Sequence, residues 1–251
     1  MPLVSLLFHD VYETDPRDSG FASAAADRYK LPIADFDAQL AGLAALPEDS
    51  FRITVDDGGV SYYTHLADRL EARGWRGHCF MTTDFIGTQG FLDAAQIREL
   101  DARGHVIGSH SASHPARFST LTAEQMRGEW SRSRAVLEDI LGHAVEVASV
   151  PGGYFSSAVA RSADEAGLRT LFTSEPMTRL GAENRCALAG RFTIRRGHPA
   201  DIARKFVEPA PWTRGAAWAT WNAKGIVKPL LGTTYMRVAD WLLASGNRRH
   251  A

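Results

Sequence analysis

The sequence predicts an α/β fold, a parallel sheet covered by helices, and two observations carry that reading. A unit of amphipathic helix, stopping glycine and short apolar strand recurs along the chain. The residues suited to chemistry, His9, the pair Asp56 and Asp57, His110 and the turn Pro151-Gly152-Gly153, follow four different apolar runs. In a closed (β/α) barrel the C-terminal ends of the strands converge on one pocket. An open, doubly wound sheet gathers them only near a switch point, so this placement favours the barrel.

Leu3 to Phe8 reads as a first buried strand with His9 at its C-terminal end. Residues 10–33 read as a long loop broken by Pro16, Gly20 and Pro32. Asp35 is placed to cap a helix whose buried side carries Phe36, Leu40, Leu43 and Leu46, and Pro47 ends it. The run Phe51 to Val55 then delivers Asp56 and Asp57 onto a tight turn made by Gly58 and Gly59. Tyr63, Leu66 and Leu70 lead through Gly74 to a strand at 78–81, and Ile97 and Leu100 lead through Gly104 to His105-Val106-Ile107-Gly108. Thr122 and Gln125 form a capping box for a helix carrying Met126, Trp130, Leu137 and Leu141, ended by Gly142. Val145 to Val150 is the next strand; Val159, Ala163 and Ala166 lead through Gly167 to Leu168 to Phe172. The glycines suit the left-handed position that terminates helices.

The 251 residues contain no linker, so residues 1–208 are expected to form one barrel domain and 209–251 a helical tail packed on it. Hydrophobic residues make up 45% and charged residues 23%, enough for a core, and a net charge near −1 with interspersed signs argues against a nucleic-acid surface. The opening residues lack a basic n-region and no apolar stretch reaches membrane-spanning length, so a cytoplasmic location is expected. Trp212, Trp218 and Trp221 make the tail an alternative peripheral membrane contact or an aromatic substrate wall. Cys79, inside His78-Cys79-Phe80-Met81, reads as a buried small hydrophobe.

Adjacent acids on an extended chain point opposite ways, so one of Asp56 and Asp57 can hold a cation while the other takes a proton. His110 and His114 are four apart, which brings both imidazoles to one side if the segment makes a helical turn; Pro115 rules out a long helix. Two imidazoles and one carboxylate are three ligands, leaving a catalytic zinc an open position for water. Alone, an Asp-Asp-Gly is most often a turn and a His-x-x-x-His two surface histidines. Each following a strand, they point together to a metal site. Ser111 reads as a turn support, and the absence of Glu after the first histidine disfavours a zincin protease.

With Thr54-Val55-Asp56-Asp57-Gly58, His110-Ser111-Ala112-Ser113-His114-Pro115 and Val150-Pro151-Gly152-Gly153-Tyr154 in this order, the chain resembles the polysaccharide deacetylase family, the NodB-homology carbohydrate esterases. The resemblance covers roughly residues 3–175. It implies a distorted (β/α) barrel of about seven parallel strands and metal-dependent removal of an acyl group from an amino sugar, in a polymer or a glycan precursor. It also implies Asp57, His110 and His114 as metal ligands, for zinc first with cobalt, nickel or manganese as alternatives. Asp56 takes the place of the general base, and Gly152 lies where the family offers a backbone N–H to the oxyanion.

Two departures stand out. The family's third motif carries an arginine two residues before its proline, pairing with the base, and Ser149 occupies that position. The opening Leu6-Leu7-Phe8-His9-Asp10-Val11 resembles the permuted branch typified by poly-N-acetylglucosamine deacetylases, in which an early strand supplies the catalytic histidine; His9 is therefore the expected acid and His198 the reserve. Rival readings are a deformylase or deacetylase of a lipid-linked amino sugar at the inner membrane face, a non-haem iron oxygenase using the same three ligands, and a catalytically dead glycan-binding barrel motivated by Ser149.

Overall fold

A computed structural model describes residues 3–178, 181–208 and 212–222. The chain divides into two units after Ala210; the first carries the whole candidate site. Of the tail, the stretch 212–222 is helical and the expected packing of 223–251 lies outside the described residues. No helix among the described residues is long and apolar enough to cross a membrane.

The strands are β1 (Val4–Phe8), β2 (Val11–Tyr12), β3 (Leu31–Pro32), β4 (Phe51–Val55), β5 (Gly77–Met81), β6 (Val106–Ser109), β7 (Val147–Ser149), β8 (Thr170–Phe172), β9 (Gly181–Glu183), β10 (Cys186–Ala189) and β11 (Arg191–Thr193). The helices are α1 (Ile33–Leu43), α2 (Ala67–Glu71), α3 (Ala94–Ala102), α4 (Ala123–Leu141), α5 (Ser157–Glu165) and α6 (Ile202–Val207). The main sheet runs β11-β1-β4-β5-β6-β7-β8-β10-β9, parallel throughout except for the β10–β9 pair, and β2 pairs with β3 in a small parallel sheet of its own.

The two ends of the parallel ladder meet through the chain itself. Ala187–Ala189 pair with Thr170–Phe172, and after one residue Arg191–Thr193 pair with Ser5–Leu7. Gly190 makes this switch: a Cβ there would stand 2.0 Å from Met177 Cγ and 2.6 Å from the Glu175 carbonyl, so a side chain has no room. Counting β10 and β11 as one kinked strand, the main sheet holds seven parallel strands, as the sequence resemblance implies.

Local chemistry explains the elements between. Both the Asp93–Gln96 and Thr122–Gln125 capping boxes form, at α3 and α4. Gly74, Gly104, Gly142 and Gly167 all have φ between 77° and 89° where helices end. Met126 and Trp130 turn inward from α4 onto Val159, Ala160 and Ala163 of α5 and onto Ala148 of β7 and Leu171 of β8. Trp130 is fully buried and donates its Nε1–H to Ser162 Oγ at 3.1 Å. Asp35 is not the cap of α1. The helix starts at Ile33 directly after Pro32, whose fixed φ orients the chain, and Asp35 sits in the first turn, where its charge suits the helix dipole. Residues 10–33 are more ordered than a loop, holding β2, β3 and two short 3₁₀ turns.

His78 on β5 is packed among Phe80, Phe172 and Arg52, and its Nδ1 has no hydrogen-bond partner. Burial, then the charge of Arg52, pushes its pKa down from 6.5 to about 3. Between those values the unfolded chain binds a proton that the native one refuses, so stability falls as pH drops through that window, by about 1.4 kcal/mol per pH unit at most. His78→Phe is therefore expected to move the acid-unfolding midpoint to lower pH, as read by far-UV circular dichroism between pH 7 and 3.

Candidate metal and catalytic centre

Every candidate side chain sits at the C-terminal end of a strand. Asp56 and Asp57 follow β4, His110 follows β6, and His9 follows β1. The Asp57 turn is left-handed, φ 82°, and Gly58 continues it at φ 81°. That left-handed conformation, with the Met81 backbone Cα only 3.3 Å from where a Cβ would stand, favours glycine there.

The His110–His114 segment is not the helical turn its spacing suggests. Ser111 at φ 66° and His114 at φ 54° reverse the chain instead, and Ser111 Oγ accepts the His114 N–H at 3.1 Å. From α4, Glu129 accepts the N–H groups of Ala112 and Ser113 at 3.0 and 2.8 Å and the Ser113 hydroxyl at 2.9 Å. That carboxylate fixes the loop between the two imidazoles, a role nothing in its helical neighbourhood announces.

One donor atom from each of Asp57, His110 and His114 lies within 4.8 Å of the others. His110 Nε2 is 3.5 Å and His114 Nε2 3.8 Å from Asp57 Oδ1. Ligands of a four-coordinate ion bound at roughly 2.0–2.1 Å stand about 3.4 Å apart, so the three atoms fit a small divalent cation with little movement. The ring orientation fits as well: His110 Nδ1–H donates to the Ser149 carbonyl at 3.0 Å, which leaves Nε2 as the ring atom that faces the acids. His114 is the most open of the three, its side chain 26% exposed. Its ring lies 4.9 Å from that of Phe21, which packs edge-on against Phe85 and Phe91.

Asp56 belongs to a different network, built around Arg191 of β11. Arg191 is fully buried and uses all five of its N–H groups. Nη1 donates to Asp56 Oδ1 at 2.7 Å and to Thr54 Oγ1 at 3.3 Å. Nη2 donates to Asp56 Oδ2 at 2.8 Å and to Ser149 Oγ at 2.7 Å, and Nε donates to the Thr173 carbonyl at 2.9 Å. Ser149 Oγ in turn donates to Asp56 Oδ2 at 3.0 Å. The arginine absent from position 149 thus has a counterpart arriving from the opposite edge of the sheet, and the small serine leaves room for it.

The electrostatics separate the two acids from ordinary carboxylates. Burial raises the pKa of Asp56, but Arg191 and then His110 outweigh it and hold the group below the usual range. Asp57 is likewise raised by burial and pulled down further by the His110 hydrogen bond and the charges of His9, His110 and His114. Burial lowers His110, yet the two carboxylates bring it above its ordinary value; His114 is lowered by burial and by His110.

His9 faces this group: its charge acts on both acids, and its ring packs at a tilt against Tyr29 with centroids 4.9 Å apart. Its Nδ1 is buried without a hydrogen-bond partner. Asp10, next in the chain, is buried against Ser19 and Ser61, its Oδ1 accepting both hydroxyls at 2.5 and 2.7 Å, and so fixes the strand end that carries His9. His198 lies on the turn beyond β11, its N–H bonded to the Arg195 carbonyl. Gly152 adopts φ 60°, ψ 6° in the turn after β7, and a Cβ there would come within 3.9 Å of the Ala116 carbonyl in the histidine loop.

These features define an α/β, barrel-type fold that carries a carboxylate and two histidines at its strand ends beside an arginine-tethered second carboxylate. The chain belongs to the polysaccharide deacetylase family, whose model matches residues 44–171. It is 27% identical over 124 residues, 49% of its length, to the putative polysaccharide deacetylase YxkH of Bacillus subtilis, covering 44% of that protein. It is 30% identical over 129 residues, 51% of its length, to the peptidoglycan-N-acetylmuramic acid deacetylase PdaA of the same organism, covering 47% of it. The chain thus spans less than half the length of these curated relatives. Its fold is shared with the Streptococcus pyogenes deacetylase PplD, with a TM-score of 0.69 at 16% identity over 83% of this chain and 99% of that one.

Proposed function

We propose that this chain is a metal-dependent hydrolase that removes an N-acyl group, foremost N-acetyl, from an amino sugar in a polysaccharide or glycan precursor. The observation that carries the reading is the pairing of two buried acids with different partners, Asp57 with two histidines and Asp56 with Arg191, on the rim of a family barrel. Asp57, His110 and His114 would hold a divalent ion, zinc first, which would supply a water of lowered pKa and a Lewis acid for the acyl oxygen.

The remaining steps belong to the chain. Asp56, kept ionised by Arg191, accepts the proton of the attacking water, and its Oδ2 stands 3.9 Å from His110 Nε2, beside the cation position. A carbon–oxygen bond forms and the Gly152 N–H donates to the developing oxyanion, a contact worth on the order of 10²–10³ in rate. As the carbon–nitrogen bond breaks, protonated His9 gives its proton to the departing nitrogen, leaving a free amine and a carboxylate. The glycan-binding alternative rested on Ser149 in place of arginine; the Arg191 fork on both oxygens of Asp56 removes that ground.

The test is acetate release from N-acetylated glucosamine oligomers and peptidoglycan fragments by the metal-loaded protein. Release that stops on chelation and returns with zinc supports the reading; a fully loaded protein that binds glycans without releasing acid would sink it. In the same assay His9→Ala is expected to lose about 10²-fold or more of turnover and His198→Ala to stay within a few-fold of wild type. The reverse pattern would reassign the acid.

A further inference from the structure

A hollow of about 500 Å³ is lined by Ala24, Asp27, Arg28, Arg196 and Gly197. Its two walls come from the loop ending in β3 and from the turn after β11. Because β11 runs parallel to β1, that turn leaves the sheet on the same side as His9. The walls are joined: the Arg196 N–H donates to the Arg28 carbonyl at 3.0 Å, and Arg196 Nε to the Lys30 carbonyl at 3.4 Å. Arg28 is followed directly by Tyr29, whose ring packs at a tilt against His9, so one residue separates the hollow from the expected acid.

The charge in the hollow is not balanced. Asp27 already faces Lys30, whose buried ammonium lies 3.9 Å from Asp27 Oδ1 and donates to the carbonyls of Pro16, Ser19 and Phe21 at 2.6, 2.6 and 2.8 Å. Lys30 thereby fixes the loop and offsets its one acid. Arg28 and Arg196 make no ion pair with a carboxylate among the described residues. Arg196 is held with its guanidinium 5.0 Å over the Tyr12 ring, which orients the fork, while the Arg28 side chain makes no hydrogen bond among the described residues. Two exposed, uncompensated guanidiniums on opposite walls of one hollow suit bidentate capture of an oxyanion.

We propose that this hollow is a subsite for an anionic substituent of the glycan, a carboxylate or a phosphate, carried on the sugar whose N-acyl group is presented to His9 or on its neighbour. The assignment rests on the hydrolase reading above and adds the substrate class. The protein would then prefer acidic over neutral glycans by its own residues and not by net charge, which is near zero.

The test compares three probes on the zinc-loaded protein: a neutral N-acetylglucosamine tetramer, a tetramer containing N-acetylmuramic acid, and N-acetylglucosamine 1-phosphate. Equilibrium binding is measured beside acetate release, so the subsite is judged even if no probe is hydrolysed. One or both anionic probes should bind about tenfold or more tighter than the neutral one, and Arg28→Ala with Arg196→Ala should erase the difference while leaving the neutral probe within twofold. Arg28→Ala alone, whose side chain supports nothing else, should remove part of it. Preference for the muramic tetramer alone assigns the carboxylate, for the phosphate alone the phosphate. Equal binding of all three by wild type, or a preference that survives both substitutions, overturns the proposal.

Discussion

Arg191→Ala is expected to lower deacetylation by about 10²-fold or more with the metal still bound, and an added Ser149→Arg is expected to restore at least tenfold of it. The reasoning starts from burial. Asp56 and Arg191 are both withdrawn from water, and two parallel N–H···O bonds of 2.7 and 2.8 Å fix the carboxylate plane. Removing the guanidinium leaves the buried carboxylate with Ser149 Oγ as its remaining side-chain hydrogen bond and His110 Nε2 3.9 Å away, a loss that costs about 3–5 kcal/mol in such pairs and pushes Asp56 toward its protonated form, useless as a base. Part of the effect will therefore appear as lost stability, and thermal unfolding has to be followed beside kinetics. The second substitution separates the two causes. Position 149 stands where the family places its arginine, and Ser149 Oγ is already within 3.0 Å of Asp56 Oδ2. An arginine there can reach the same acid from β7 once Arg191 has vacated the space. A purely structural role for Arg191 at the β10–β11 switch would gain nothing from it. Arg191→Lys is the intermediate case: the charge remains but the fork does not, and kcat should suffer more than KM.

This network also marks where the sequence stops being readable. Strands β1, β4, β5 and β6 announce themselves as apolar runs of four or five residues following a stopping glycine or proline, and the chemistry at their ends could be placed from pattern alone. Beyond Phe172 the grammar changes. Strands β9 to β11 are three or four residues long, have no helix between them, and are interrupted at Asn184, with φ 54°, and at Gly190. Arg191 on such a run looks like a surface residue, since arginine is seldom fully buried without a partner, and its partner lies 135 residues away. The histidine loop misleads in another way. A spacing of four suggests a helical turn, but the imidazoles converge because two non-glycine residues take left-handed conformations, a cost that Glu129 and Ser111 Oγ offset through hydrogen bonds. No residue type reports those bonds in advance. Ser149 is the opposite case, legible as a departure, and its explanation needed only the neighbour that fills the gap.

Asp57→Ala and Asp56→Asn should separate metal binding from proton transfer. In the first, the site loses its only anionic ligand. The two imidazoles that remain are neutral donors at best, and metal content per chain should fall from about one to near zero after dialysis, with turnover lost along with it. In the second, Arg191 keeps a carbonyl oxygen to bond but the acid can no longer accept a proton. Metal content should stay near one while turnover drops about 10²–10⁴-fold, the usual worth of a positioned base. The contrast is informative because the residues are adjacent, both buried and bonded to different partners: His110 and His114 lie 3.5 and 3.8 Å from Asp57 Oδ1, whereas both Asp56 oxygens are taken by Arg191. If Asp56→Asn lost the metal as completely as Asp57→Ala, the two acids would share the cation and the division of labour would fail. If it kept wild-type turnover, the proton would have to leave by another group, and His9 would be the first to test, since its charge already acts on both acids.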